Sequence, residues 1–168
     1  MNVMIAISKS GTLCPNTVRP NTSLGFGHGT VVDDLLGAVW TDWTAEVARA
    51  HDRLADRVDD VVLVGQRMGA TLALWAALRR SDVAGVVCIN PLTVPRQPDE
   101  IALIDELIDD GLTIAPGTGS DIADPDASDI TYDGTPLRAV RSLLVDGVDR
   151  FLLRKIERAA ERRGGRWL

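Results

Sequence analysis

Cysteine is scarce in this chain. Only Cys14 and Cys88 occur, far apart and in no Cys-x-x-Cys frame, so a zinc site or a dithiol redox motif has no support. Cys88 lies in an apolar, strand-like run, where a free cysteine acts as a small hydrophobe. Net positive charge is missing too. A formal charge of -6 and a pI near 4.8 argue against a nucleic-acid-binding surface over most of the chain. No apolar run approaches the roughly 20 residues of a bilayer span. The N-terminus lacks a basic region followed by an apolar stretch and a small-residue cleavage site, and a cytoplasmic location is the expectation. There is no internal repeat and no heptad array. Histidine is limited to His28 and His51.

What remains is ordinary globular material. At 168 residues, 45% hydrophobic and 25% charged, the chain fits one domain able to bury a core. Its charge is uneven: residues 147–168 hold seven Arg or Lys against three acids, and the rest carries 11 bases against 21 acids. A basic tail on an acidic body could dock onto it or bind something acidic; a solvated helical face is the expectation.

Val3 to Ser8 is a short apolar run with strand character. Residues 9–30 are rich in Gly, Pro, Asn, Thr and Ser, which is loop composition. From about Thr41 to Val58 apolar residues recur at helical spacing through Trp43, Val47, Ala50 and Leu54. Thr41 or Asp42 is the expected N-cap, and His51 is assigned to the polar, exposed side. Val61 to Val64 reads as a strand, Met68 to Arg80 as a mostly buried helix, and Gly85 to Asn90 as a second buried strand. Two apolar strands joined by one helix predict a right-handed βαβ unit with a parallel sheet. Amphipathic spacing then predicts helices over Glu100 to Asp110, Leu137 to Val145, and a basic segment whose stripe is Val148, Phe151, Leu152, Ile156, Ala159 and Ala160.

One motif carries chemistry. Val61-Val62-Leu63-Val64-Gly65-Gln66-Arg67-Met68-Gly69 has the frame of a nucleophile elbow, an apolar strand, Gly-x-Ser-x-Gly and then a helix, in which a strained turn lifts a serine above a parallel sheet. The central residue here is Arg67. Its guanidinium stays protonated at any physiological pH and cannot act as the nucleophile.

From Gly27 to about Leu144 the chain resembles the α/β-hydrolase family, most closely its bacterial carboxylesterase and monoacylglycerol-lipase-like members. Gly27-His28-Gly29-Thr30 looks like the Gly-His-Gly after an early strand. Trp40-Thr41-Asp42-Trp43 looks like the opening of the helix before the elbow. Gly65 to Gly69 matches the elbow except at its centre, and Asn90-Pro91 closes the next strand. Asp121 to Pro125 and Tyr132 to Leu137 look like the cap segment.

The resemblance implies a partial α/β-hydrolase fold, a small parallel sheet with helices on both faces and a partial helical cap, in a single domain (core 27–95, cap-like region 96–146, basic helix 147–168). It also implies a triad in chain order Ser, then acid, then His. Arg67 stands at the serine position, and both histidines precede the elbow. One oxyanion donor, the Met68 backbone N–H, is expected to survive. Gly65, Gln66, Gly69, His28 and Trp40 are expected around the pocket, with Trp43 beside Trp40.

Other constellations are weaker. Gly25-x-Gly27-x-Gly29 and Gly117-Thr118-Gly119-Ser120 lack the spacing and preceding strand of a phosphate loop. Asp121, Asp124, Asp126, Asp129 and Asp133 miss the calcium-loop pattern. Ser81, Ser120, Ser128 and Ser142 sit in no elbow frame. No metal and no cofactor is expected.

Three functional expectations follow. The first is an esterase- or lipase-type family member with its catalysis impaired or lost. The second is a binding module that uses the former acyl pocket for a small acyl ester or carboxylate, with Arg67 as anion anchor near a helix N-terminus. The third is a truncated or frameshifted gene product. Because the sheet is small, unpaired edge strands predict either a homodimer or a marginally stable domain.

Overall fold

The computed structural model describes residues 3–7, 31–117, 132–148 and 152–162. His28, Cys14, the glycines of 25–29 and the acids of 121–129 lie outside these residues.

The central βαβ unit forms as its sequence predicts. Strand β2 (Asp60–Gln66) runs into helix α2 (Met68–Arg79), and β3 (Val83–Ile89) returns parallel to β2 with Leu63 opposite Val86 and Gly65 opposite Cys88. The early apolar run forms β1 (Val3–Ile7), which pairs antiparallel with β2. The sheet is therefore mixed, in the order β1-β2-β3.

Helix α1 (Trp40–Ala55) precedes β2. Its stripe of Trp40, Trp43, Val47, Ala50 and Leu54 is buried, forming a core with Val61 and Leu63 of β2, Leu72, Ala73 and Ala76 of α2, and Val83 of β3. The N-cap is Val39, two residues before Thr41 and three before Asp42, the expected caps. Asp42 acts from the third helical position, where its carboxylate accepts the Val39 N–H at 3.0 Å. Starting at residue 40 places Trp40 on the buried stripe, and the Ser142 hydroxyl accepts the Trp40 N–H at 2.9 Å.

Helices on both faces were expected. Among the described residues, α1, α2 and the last helix, α5 (Leu152–Arg162), gather on one face: Ile156 packs with Leu74 and Leu78 of α2 and with Val86 and Cys88 of β3. On the other face Val62 and Val64 are half-buried, while Val87 and Ile89 are 49% and 53% exposed. β3 is thus not the fully buried strand its composition suggested, because it is the outer strand of the described sheet.

The cap-like region holds α3 (Pro98–Asp109), a small antiparallel pair β4 (Ile114–Pro116) and β5 (Gly134–Pro136), and α4 (Leu137–Ser142), which runs into a π-helical turn over Leu143–Gly147. The Asp105 carboxylate of α3 receives two bonds from the Arg141 guanidinium of α4, one of them at 3.0 Å. Gly147 lies flat on the Trp40 ring, where a Cβ would come within 2.8 Å.

Candidate functional site

The site is the turn between β2 and α2. Arg67 has φ 53 and ψ -123, a left-handed conformation that a non-glycine residue holds at a cost of order 1–3 kcal/mol. Gly65 is needed beneath it. A Cβ there would press into the backbone of Gly69 and lie 2.6 Å from the Ala70 nitrogen. The turn is bonded on both sides. The Arg67 N–H donates to the Ile89 carbonyl at 2.9 Å, and the Arg67 carbonyl accepts from the Ala70 and Thr71 N–H groups at 3.0 and 3.2 Å. A strained strand–turn–helix geometry is therefore present, with Arg67 at its apex.

The flanking strand end is strained as well. Asn90 follows β3 with φ 49, a conformation that asparagine tolerates better than most residues. Behind it, the buried Thr71 hydroxyl donates to the Leu92 carbonyl at 2.9 Å and accepts the Leu92 N–H at 3.1 Å. Thr71 thus fixes the segment after β3 to the first turn of α2. Sequence reasoning missed it. The available signal was a lone hydroxyl in an otherwise apolar helix, which must find a partner when buried.

Gln66 and Arg67 are exposed, Met68 is half-buried, and Gly65 and Gly69 are buried. Met68 opens α2, so its N–H belongs to the first turn, where donors have no intrahelical acceptor. Trp40 does not share this open position. It is 4% exposed, stands edge-on to Trp75 at 6.4 Å, and is sealed by Gly147. Trp43 is likewise in the core. Both rings are thus part of the buried core. Ser142, bonded to Trp40 and donating to the Asp146 carboxylate at 2.9 Å, is a structural hydroxyl.

His51 is the larger correction. Its side chain is fully buried rather than exposed. Arg80 Nη1 lies 3.0 Å from its Nδ1 and donates to the Asp52 carboxylate at 2.7 Å. Asp82 Oδ1 lies 3.6 Å from its Nε2. The cluster sits at the C-terminal end of α2, opposite the elbow.

Arg80 holds the Asp52 carboxyl below the usual range, chiefly by its hydrogen bond; Arg141 does the same for Asp105. Partial burial raises the Cys88 thiol, consistent with a hydrophobic role. Among the described residues no group of three or more His, Cys, Asp or Glu could hold a metal ion, and no helix is long and apolar enough to cross a membrane.

No protein-family model matches the chain. Over 131 residues it is 29% identical to the thermostable monoacylglycerol lipase of Bacillus sp. (strain H-257), a match spanning 70% of this chain and 46% of the lipase. It also matches a solved structure from work on LipS and LipT, two metagenome-derived lipolytic enzymes, with TM-score 0.68 and 30% identity over 79% of this chain and 54% of that one. The chain thus spans about half the length of these relatives. With the βαβ unit and the strained turn in place, these likenesses support an esterase-like α/β-hydrolase family for the chain.

Proposed function

We propose that this chain is an esterase- or lipase-type hydrolase-family protein that has lost acyl transfer. The observation that carries this reading is Arg67 at the apex of a retained elbow. A permanently protonated guanidinium has no lone pair with which to attack an ester carbonyl. The Met68 N–H would still face a developing oxyanion, but oxyanion stabilisation without the nucleophile leaves only a fraction of the catalysis. Neither histidine supplies the base: both precede the elbow in the chain, and His51 is enclosed with Arg80 at the far end of α2.

Arg67 and the first turn of α2 also support a second reading, a binding module for a small carboxylate or acyl ester, since a guanidinium and a helix N-terminus both favour an anion. A cytoplasmic setting and a homodimer joined through the outer strand belong to the same proposal. They rest on the cysteine-poor composition and on exposed Val87 and Ile89.

Hydrolysis of a p-nitrophenyl butyrate substrate tests the first reading. The native chain is expected to release nitrophenol at the rate of buffer alone. Saturable hydrolysis that disappears in Arg67→Ala would overturn it. For the second reading, millimolar butyrate should raise the melting temperature of the native chain and leave Arg67→Gln unmoved; equal responses would contradict an anion anchor at Arg67.

A further inference from the structure

The last helix takes no part in the elbow, and its charge is sorted by direction. Helix α5 holds Arg154, Lys155, Arg158 and Arg162 against Glu157 and Glu161, while residues 1–146 carry 11 bases against 21 acids. We propose that the outward side of α5 is a docking surface for a bilayer rich in anionic phospholipid. This surface is separate from the elbow and stands or falls independently of acyl transfer.

One residue fixes how α5 is turned. Ile156 is 6% exposed and packs with Leu74 and Leu78 of α2 and with Val86 and Cys88 of β3. An α-helix advances about 100° per residue, so Lys155, Arg158 and Arg162 fall within an arc of about 60°, each about 100° or more from Ile156. All three are exposed. The row they form runs about 10 Å along the helix axis. Glu161 is exposed too and lies about 60° beyond Arg158, at the edge of the row. The acidic body thus takes up Ile156 and leaves these cations facing outward.

A bilayer suits this arrangement better than a nucleic acid does. The basic row lies on one side of an otherwise acidic molecule, and a planar surface meets that side alone. A duplex is gripped through more phosphates, about 6–10 in a tight complex, and an acidic body beside a single row of three cations repels it. At Ile156 the apolar stripe of α5 is already used inside the protein. The helix therefore has no free apolar face to lower into the lipid, as an isolated amphipathic helix does. Attachment is electrostatic. Each cation near an anionic leaflet strengthens it about fivefold, and salt weakens it by shortening the Debye length.

Co-sedimentation of the full chain with lipid vesicles tests this. In about 0.1 M NaCl the native chain should sediment with vesicles of equal parts phosphatidylcholine and phosphatidylglycerol, and about 0.5 M NaCl should release it. With vesicles of phosphatidylcholine alone it should stay in the supernatant. Arg158→Gln combined with Arg162→Gln should weaken binding about 25-fold, whereas Arg158→Lys combined with Arg162→Lys keeps the charge and should bind within about twofold of native. Arg53→Gln combined with Arg57→Gln removes two exposed cations at the end of α1 and should bind like the native chain. Equal sedimentation with both kinds of vesicle would overturn the docking surface, as would no binding to the anionic ones or an equal loss in the α1 variant. Tighter binding to a DNA duplex than to anionic vesicles at the same salt would assign the row to nucleic acid instead. Should the glutamine variant not fold, native binding that persists in about 0.5 M NaCl would overturn the surface without it.

Discussion

At Arg67 a costly backbone conformation is kept by a residue with no use for it as a nucleophile. A strained φ persists only when the surroundings over-determine it, and here they do: the Arg67 N–H is bonded to β3 and its carbonyl is bonded to α2. The mirror-image region is open to glycine. Arg67→Gly is therefore expected to stabilise the fold by about 1 kcal/mol in urea unfolding, the released strain being partly offset by glycine's chain entropy. A loss of stability would contradict the strain assignment. Gly65→Ala should do the reverse. Its Cβ meets backbone, which cannot rotate away, so a loss of about 3 kcal/mol or failure to fold is expected.

His51 and Asp42 show where residue-level reading failed. Position 51 completes the i, i+3, i+4, i+7 set with Val47, Ala50 and Leu54, so periodicity marked it as buried. Its chemistry suggested exposure, and the stripe prevailed because Arg80 meets its ring nitrogen. Asp42 was recognised as a capping residue but placed at the wrong position, since an acid three residues into a helix can serve the N-cap N–H as well as a cap residue can.

At the scale of elements, the β2–α2–β3 unit was legible because its signals agree. β2 is a short β-branched run whose next-to-last residue, Gly65, must be a glycine, and α2 is apolar on most sides because it lies between α1, α5 and the sheet. β1 was legible as a strand and not as an antiparallel neighbour of β2, since pairing between distant segments leaves no local mark. The contact of Thr71 with Leu92 was invisible for the same reason. Thr71→Val, which keeps the shape and leaves two partly buried backbone groups of Leu92 without their partner, should cost about 1–2 kcal/mol in urea unfolding; a neutral change would show that Thr71 does not hold the segment after β3. The Arg141–Asp105 pair joins α3 to α4 at the surface, where ion pairs contribute little. Arg141 lowers the Asp105 carboxyl, so its contribution is present above the unfolded carboxylate range and is lost as pH falls below about 4. Asp105→Asn should leave the urea midpoint at pH 7 nearly unchanged.

Across the whole molecule, one face of the sheet carries the core and the other carries half-exposed valines. Leu63→Ala, on the packed face, should cost about 2–5 kcal/mol, whereas Ile89→Thr, on the open side, should change stability by less than about 1 kcal/mol. The family was readable from motif order. The packing of Trp40 and Trp43 was not, because a tryptophan that lines a pocket and one that fills a core have the same sequence signature; in space Trp40 meets Gly147 and Trp75, and Trp43 lies in the core.

The central claim is that the elbow survives without its chemistry. Intact mass after incubation with a fluorophosphonate probe tests it most directly, since that reagent adds covalently to an activated serine. The native chain is expected to keep its mass unchanged. An adduct on the native chain would reveal an activated serine and contradict the account.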